Sequence, residues 1–296
     1  MTTPKKNMKP AYSEFAISAV LAAIALTMAL PFVHELAKSF SYPTEVAAGR
    51  VSLWPREFTW GNYGYFYQKH RATLTRSFVN SLYITGFGVF WSTLNAALFA
   101  FPLSRPPKEF RLTKPIMYLV LFTLVFSPPV IPYFLAVKSY GLMDTHWAII
   151  LPHTIFPFEL ILVISFFRQL PEEMFDACRI DGGGDWHLFR HVAVPLSKAA
   201  LVTVALFASV ALWNIFFHAM LFIRTPELQP LQVFVRGILQ AGGDIATSGQ
   251  LIKDPFAETE STKSAIVILT TMPIILVYPL LQRYFAKGVL LGAIKE

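Results

Sequence analysis

Six long apolar runs dominate this sequence and limit what it can fold into. A helix of roughly 20 apolar residues crosses the hydrocarbon core of a bilayer, and each run is about that long. Charged side chains are costly at a bilayer centre, and the only acidic, basic or imidazole side chains within the runs are His153, Glu159 and His218. The runs are Phe15–Val33, Phe78–Phe101, Pro115–Val137, Trp147–Phe167, Ala199–Ile223 and Ser264–Gln282. The sequence therefore predicts an all-α, polytopic membrane protein with six transmembrane helices.

Composition and charge agree with a membrane protein. Charged residues make up 15% of the chain, whereas a soluble domain usually carries about 25%. The net charge of +7 is typical of a nucleic-acid-binding protein or of a membrane protein with basic cytoplasmic loops, and the apolar runs favour the second. The single cysteine, Cys178, excludes an intramolecular disulfide. No cluster of His and Cys residues predicts a metal site.

The distribution of Lys and Arg predicts the orientation of the chain. Basic residues are frequent in the N-terminal tail, in the connections after the second and fourth runs and in the C-terminal tail, whereas the loop after the third run has only Lys138. We therefore expect cytoplasmic tails at 1–14 and 286–296 and a permease-like domain at 15–285 between them. Two long external segments, 34–77 and 224–263, are turn-rich. The first contains six basic residues, but long loops obey the charge rule weakly.

Prolines interrupt several of the apolar runs. The densest group is "SPPVIP" at residues 127–132, within the third run. Each internal proline removes a backbone hydrogen bond, and membranes tolerate this where neighbouring groups or water satisfy the freed carbonyls. The group predicts a broken helix beside a cavity, or a kink that serves packing alone.

The connector between the fourth and fifth runs, residues 168–198, is too long for a plain turn and too regular for disorder. Pro171 followed by Glu172 and Glu173 is typical of a helix start, since carboxylates complement the positive end of a helix. Apolar side chains at helical spacing follow the start at Met174, Phe175 and Cys178. We therefore expect a first short helix with one apolar stripe.

A run of three glycines divides the connector. Gly182–Gly184 predicts a sharp reversal of the chain, because glycine has the widest backbone freedom. Asp185 can then cap a second short helix that carries Trp186 and Phe189 on one face. We expect Pro195 to end that helix. The pattern predicts two short helices joined by a glycine hinge, a shape suited to docking into a groove of a soluble protein.

The connector resembles the loop shared by permeases of ATP-binding-cassette (ABC) importers, which reads Glu-Ala-Ala, then Asp-Gly after a short spacing, then Phe and Leu-Pro. The matching residues are Asp176, Ala177 and Cys178 for Glu-Ala-Ala, Asp181 and Gly182 for Asp-Gly, Phe189 for Phe, and Val194 and Pro195 for Leu-Pro. Asp176 and Cys178 depart from the pattern. The segments "WNIFFHAML" at 213–221 and "QRYFAKGVLLGAIKE" at 282–296 are similar to the second permease of maltose-type carbohydrate importers.

This resemblance implies an ABC type I importer permease fold in a bacterial inner membrane, with both termini cytoplasmic. The connector would be the coupling loop that docks on an ATPase. The implied coupling residues are Glu172, Glu173, Phe175, Asp176, Ala177, Cys178, Asp181, Gly182, Gly183, Trp186, Phe189 and Pro195. The sequence has no Gly-x-x-x-x-Gly-Lys-Ser/Thr loop, so we expect this chain not to be an enzyme.

The implied partners are a second permease in a heterodimer, two ATP-binding subunits that hold ATP and Mg, an extracytoplasmic solute-binding protein and membrane lipid. The cargo would be a saccharide, and nucleic acid is not expected. The external loop 224–263 corresponds to a segment that contacts the binding protein. The basic residues of 34–77 are compatible with an anionic oligosaccharide such as an alginate fragment.

Polar residues within the predicted spans are candidates for the sugar path: Glu159, Trp213, Asn214 and His218. Each can equally serve a hydrogen bond or packing contact between helices, and in the maltose-type family most sugar contacts lie on the other permease. The residues leave two other functions open. One is a membrane-embedded enzyme in which Glu159, His153 and His218 form an acid–base or metal cluster. The other is a passive channel, which would not need the hinged connector.

Overall fold

The computed structural model describes residues 11–106, 108–245, 256, 259–273 and 275–276. Every regular element within these residues is a helix. The chain divides into two compact units, one of Met1–Arg71 with Ile238–Thr271 and one of Ala72–Gly237 with Met272–Glu296. The predicted C-terminal tail and the end of the sixth predicted span, residues 277–282, lie outside the described residues, as does the N-terminal tail up to residue 10.

The first unit contains the first predicted span, which forms one helix from Ala11 to Ser39. Pro31 lies inside this helix without ending it. No side chain in the most apolar stretch of Phe15–Ser39 is buried within the chain, as expected of a helix whose surroundings are lipid or another subunit. A short helix, Pro43–Ala47, and the helical residues 260–271 complete the unit together with the start of helix Gly61–Ser104.

Asn62 ties the first unit together. Its buried amide Nδ2 donates to the carbonyl oxygens of Ser39 and Ser41, both at 2.9 Å. The hydroxyl of Ser261 donates to its Oδ1 at 2.9 Å. The residue thus satisfies the carbonyls beyond the end of the first helix and links them to the helix at 260–271, as buried polar groups require.

The second unit carries the connector. Its helices, of which the first and last are shared with the other unit, are Gly61–Ser104, Thr113–Val125, Val130–Ser139, Trp147–Ile150 with a 3₁₀ extension Leu151–His153, Pro157–Arg168, Glu172–Ile180, Asp185–Leu196, Lys198–Trp213, Phe217–Phe222 and Leu231–Ile245. A 3₁₀ turn, Pro226–Leu228, precedes the last of them.

Helix Gly61–Ser104 begins 17 residues before the predicted start of the second span at Phe78. Interpreting 61–77 as turn-rich is therefore wrong. This stretch contains no proline, so nothing in it stops the apolar helix from extending into polar sequence. Interpreting 231–245 in the second external segment as turn-rich is wrong as well, because these residues form helix Leu231–Ile245.

The predicted break in the third span is confirmed. One helix ends at Val125 and the next begins at Val130, with Phe126 and Pro129 extended between them. The fourth and fifth spans are also interrupted, before Pro157 and after Trp213. In the described part of the chain, three helices are long and apolar enough to cross a membrane, or four if the bent pair Asp185–Leu196 and Lys198–Trp213 is one span. The count of six remains a prediction.

One apolar cluster fills the part of the second unit beneath the connector. It joins helix Gly61–Ser104, through Ala96, Ala100 and Leu103, to helix Pro157–Arg168, through Val163 and Phe167. The remaining buried members are Val120, Leu160, Ile164, Phe175, Leu188, Val192, Ala193 and Val204. Both connector helices therefore share a core with the spans.

Candidate functional site

The first connector helix, Glu172–Ile180, follows Pro171, which is extended at the N-cap position. Glu172 and Glu173 lie in the first turn as predicted, where their charges complement the exposed backbone N–H groups. Beyond Asp181 the chain reverses, and the N–H of Gly183 donates to the carbonyl of Cys178 at 2.9 Å.

The glycines that follow confirm the predicted reversal, and two of them are required for different reasons. Gly182 has φ +81°, a left-handed conformation that disfavours residues with a Cβ. At Gly183 a Cβ would lie 2.7 Å from Cys178 Sγ and 2.8 Å from the Cys178 carbonyl oxygen, so the close approach excludes a side chain. Gly184 is extended, with φ −79°, and has open space where a Cβ would be.

The second connector helix, Asp185–Leu196, departs from the prediction at its start. Gly184 is the N-cap residue and Asp185 is the first helical residue, without a side-chain cap hydrogen bond, so the predicted cap at Asp185 is wrong. Asp185 still complements the helix end by its charge.

Pro195 is the second-last residue of this helix, which ends at Leu196, so the helix ends within one residue of the predicted position. The preceding turns, Leu188–Ala193, are π-helical. A π turn widens the backbone, which gives the proline ring room against the preceding turn. The chain bends by 77° at Ser197, and helix Lys198–Trp213 follows.

Two aromatic side chains fasten the connector to its own chain. Phe175 is 2% exposed and Phe189 is also buried, and both pack in the second unit. Cys178 is half-buried against the same core. These three predicted coupling residues therefore face inward and hold the connector helices on the spans.

The outer face of the connector carries large apolar side chains. Ile180 is 86% exposed, Trp186 is 63% exposed and Met174 is 47% exposed. Met174 was expected in one stripe with Phe175, but it lies on the outer side. The other predicted coupling residues that are exposed are Glu172, Glu173, Asp176, Ala177, Asp181, Gly182 and Pro195, and Gly183 is half-buried. Apolar side chains amid acidic ones are typical of an interaction surface.

Two residues of the connection after the second span contact the first connector helix, and the sequence did not single them out. Glu109 Oε2 accepts from Arg179 Nη2 at 3.0 Å. Arg105 places its Cζ 3.6 Å from the centre of the Phe175 ring and 4.8 Å from that of Phe101. The sequence showed only that the connection containing Arg105 and Glu109 is basic. Their contacts could not be predicted, because the contacting residues are about 70 positions away in the chain.

The predicted sugar-path residues do not form one site. Glu159 is 3% exposed, and its Oε2 is buried without a hydrogen bond from any residue that the structure describes. Trp213 is also buried, with its ring 5.9 Å from that of Phe78. Asn214 is exposed and donates to the carbonyl of Val210 at 2.8 Å.

His218 lies beside His153, with ring centres 5.3 Å apart. Tyr133 packs on the other side of His218 at 5.0 Å. Within the described ranges, no three His, Cys, Asp or Glu side chains are grouped so that they could hold a metal ion. Glu159, His153 and His218 are therefore not a metal centre.

Comparisons with known proteins place the chain in context. The family model described as "binding-protein-dependent transport system inner membrane component" matches residues 92–291. Protein LplC of Bacillus subtilis is 38% identical over 266 residues, covering 90% of this chain and 89% of that protein. The polygalacturonan/rhamnogalacturonan transport system permease protein YtcP of the same organism is 35% identical over 292 residues, covering 97% and 100%.

A solved structure is also similar. A chain of a bacterial ABC transporter involved in the import of the acidic polysaccharide alginate superimposes with a TM-score of 0.82 at 28% identity. The match covers 96% of this chain and 100% of that one.

Proposed function

This chain belongs to the family of inner membrane components of binding-protein-dependent transport systems, and we propose that it forms half of a saccharide pathway driven by ATP hydrolysis on partner chains. It is a permease subunit of an ABC importer with the type I permease fold. Such a permease works with a partner permease, an ATPase and a solute-binding protein. The finer assignment is a heterodimer of permeases with two ATP-binding subunits that hold ATP and Mg.

The observation that carries the coupling role is the two-sided character of the connector. Phe175 and Phe189 are buried in the permease, whereas Ile180 and Trp186 are left exposed on the other side. An ATPase groove that receives the exposed side would remove this apolar surface from water. Closure of the ATPase pair would then press on the connector, and the buried aromatic side chains would carry that force to the spans.

The proposed orientation puts both termini and the connector on the cytoplasmic side. Support comes from the basic connections after the second and fourth spans, since Lys and Arg accumulate in short cytoplasmic loops. This orientation also puts the connector on the side where ATP is available.

The proposed cargo is an acidic oligosaccharide. YtcP is named for transport of polygalacturonan and rhamnogalacturonan, and the similar structure belongs to a transporter of acidic alginate. The six basic residues between 37 and 77 would favour an anion near the external face.

The decisive experiment is purification of the chain with its ATPase. Deletion of residues 181–185 should abolish both ATPase copurification and uptake into proteoliposomes, because it removes the hinge between the connector helices. A passive channel would keep its flux after this deletion. Stable ATPase association without these residues would contradict the coupling role.

The cargo is tested separately, on the solute-binding protein that works with this chain. Uronate oligosaccharides should raise its melting temperature, whereas neutral oligosaccharides of equal length should not. Stabilisation by the neutral set alone would contradict an acidic cargo.

A further inference from the structure

Both connector helices contact the C-terminal end of helix Gly61–Ser104. From the second connector helix, Phe189 packs on Phe101 with ring centres 5.6 Å apart. Exposed Trp186 in turn packs on Phe189 at 5.3 Å. From the first connector helix, Phe175 lies against Arg105. A continuous set of ring contacts therefore runs from the outer surface of the connector to one end of a long helix.

Arg105 lies where these contacts meet. Its guanidinium Cζ is 3.6 Å from the centre of the Phe175 ring, and the Phe101 ring centre is 4.8 Å away. A guanidinium is planar and permanently charged, so it attracts the faces of aromatic rings within about 6 Å. The side chain thus joins a ring of the connector to a ring of the span.

The same guanidinium has an unused donor. Its Nη2 is buried without a hydrogen-bond partner among the described residues. Burial lowers the pKa of Arg105, while the carboxylates of Glu109, Asp185 and Glu172 oppose that shift. An unpaired buried donor is costly to retain, so simple space-filling does not account for an arginine here.

The three carboxylates come from three different elements. Glu172 begins the first connector helix, Asp185 begins the second, and Glu109 belongs to the connection after helix Gly61–Ser104. A displacement that brings one of them onto Nη2 would supply the missing acceptor. With Glu172 or Asp185 as the acceptor, the two positions of the connector would differ by one charge-assisted hydrogen bond, which is the kind of difference that separates two states. Glu109 would first have to leave Arg179.

We propose that Arg105 is a positioning residue that passes movement of the first connector helix to helix Gly61–Ser104. The proposal rests on the proposed function, because it assumes that an ATPase moves the connector. Arg105 does not take part in docking itself, since its guanidinium lies beneath the connector, against Phe175.

The test uses the complete transporter in proteoliposomes, with both permeases, the ATPase and the binding protein. Arg105→Met keeps an unbranched chain but removes the charge and the planar group. ATPase copurification should stay at the unsubstituted level, while cargo transported per ATP hydrolysed should fall about fivefold or more, as expected for loss of a typical coupling energy. Arg105→Lys should give an intermediate ratio.

Lys108→Met is the matched control. It removes one positive charge from an exposed position three residues further along the chain and should leave the ratio unchanged. Adding Phe175→Leu to Arg105→Met should cause a smaller loss than the sum of the two single losses, because the two changes share one contact.

An unchanged ratio in Arg105→Met would overturn the proposal, as would fully additive losses in the double variant. Loss of ATPase copurification in Arg105→Met alone would also overturn it, because Arg105 would then serve docking. If Arg105→Met does not assemble with the second permease, the cargo transported per ATP hydrolysed is measured for Phe175→Leu instead. An unchanged ratio in Phe175→Leu would then overturn the proposal. Failure of the proposed function is recognised separately, by an unsubstituted chain that never copurifies with the ATPase.

Discussion

The carboxylate of Asp144 accepts two hydrogen bonds from Thr225. The Thr225 N–H donates to Oδ1 at 2.8 Å and the hydroxyl donates to Oδ2 at 2.5 Å. The N–H of Arg224 adds a third bond to Oδ1 at 2.9 Å. The loop before the fourth span thereby fixes the start of the segment that leaves the fifth span, and this segment leads into the proposed contact region for the binding protein.

The first prediction concerns acid sensitivity. Hydrogen bonds from the Thr225 side chain and N–H hold the pKa of Asp144 below its ordinary value of 3.8. A lowered pKa in the folded state means that the ionised carboxylate adds stability above pH about 3.8, and that this stability is lost as the pH falls through the folded pKa. Asp144→Asn should therefore lower the melting temperature at neutral pH and reduce its acid dependence.

Thermal melts of the purified chain between pH 6 and pH 3 measure both effects. Asparagine suits the left-handed backbone at residue 144, where φ is +59°, so the change should not distort the turn. An acid dependence equal to that of the unsubstituted chain would contradict the role given to Asp144.

The second prediction separates the three glycines of the connector. Gly182→Ala should cost about 1 kcal/mol of stability, because alanine disfavours a left-handed backbone. Gly183→Ala should cost more, since its Cβ would meet the backbone oxygen of Cys178 at 2.8 Å. Gly184→Ala has open space and serves as the control. Chemical denaturation should rank the three variants, and a destabilised Gly184→Ala with an unaffected Gly183→Ala would contradict the geometry.

The third prediction separates docking from anchoring. Trp186→Ala and Ile180→Ala remove exposed side chains, so each should weaken ATPase copurification while leaving the melting temperature of the isolated permease unchanged. Tyr140→Ala, also exposed but on the predicted external side, should affect neither.

Phe175→Ala should behave in the opposite way. Truncating a buried phenylalanine costs about 3–5 kcal/mol, so the isolated permease should melt at a lower temperature. If Phe175→Ala is as stable as the unsubstituted chain, Phe175 does not anchor the connector to the spans.

The fourth prediction concerns the polar residues of the spans. Glu159 is buried, and its Oε2 has no partner within the described part of the chain, so we expect it not to touch a sugar in this conformation. Glu159→Leu should keep uptake and retain or raise thermal stability, since a buried unpaired polar group is costly. Asn214→Ala should lower uptake, because Asn214 is exposed. Uptake that depends on Glu159 and not on Asn214 would reverse this assignment.

Local sequence signals predicted the backbone breaks well. The prolines at 128 and 129 stop a helix for steric reasons that need no tertiary contact, and the helix does end at Val125. The reversal at the glycines after the first connector helix was predictable for a similar reason, because it depends on the backbone freedom of glycine and on neighbouring residues. The role of Asp185 was mispredicted because neighbouring Gly184 can take the cap, whereas the helix end at Pro195 was predicted to within one residue.

The sequence did not predict the contacts between the connector and residues far away in the chain. Whether Phe175 faces a partner protein or its own core depends on where Arg105 and Phe101 lie, and no spacing within the connector encodes this. Met174 and Phe175 are adjacent and similarly apolar, yet one is exposed and the other is buried.

The 77° bend at Ser197 joins the second connector helix to helix Lys198–Trp213 with a single residue between them. Because only one non-helical residue separates the two helices, a displacement of the second connector helix would reach helix Lys198–Trp213 directly through the backbone. If an ATPase moves the connector as proposed, the chain itself would pass part of that movement to the fifth span, in addition to the side-chain contacts beneath the connector.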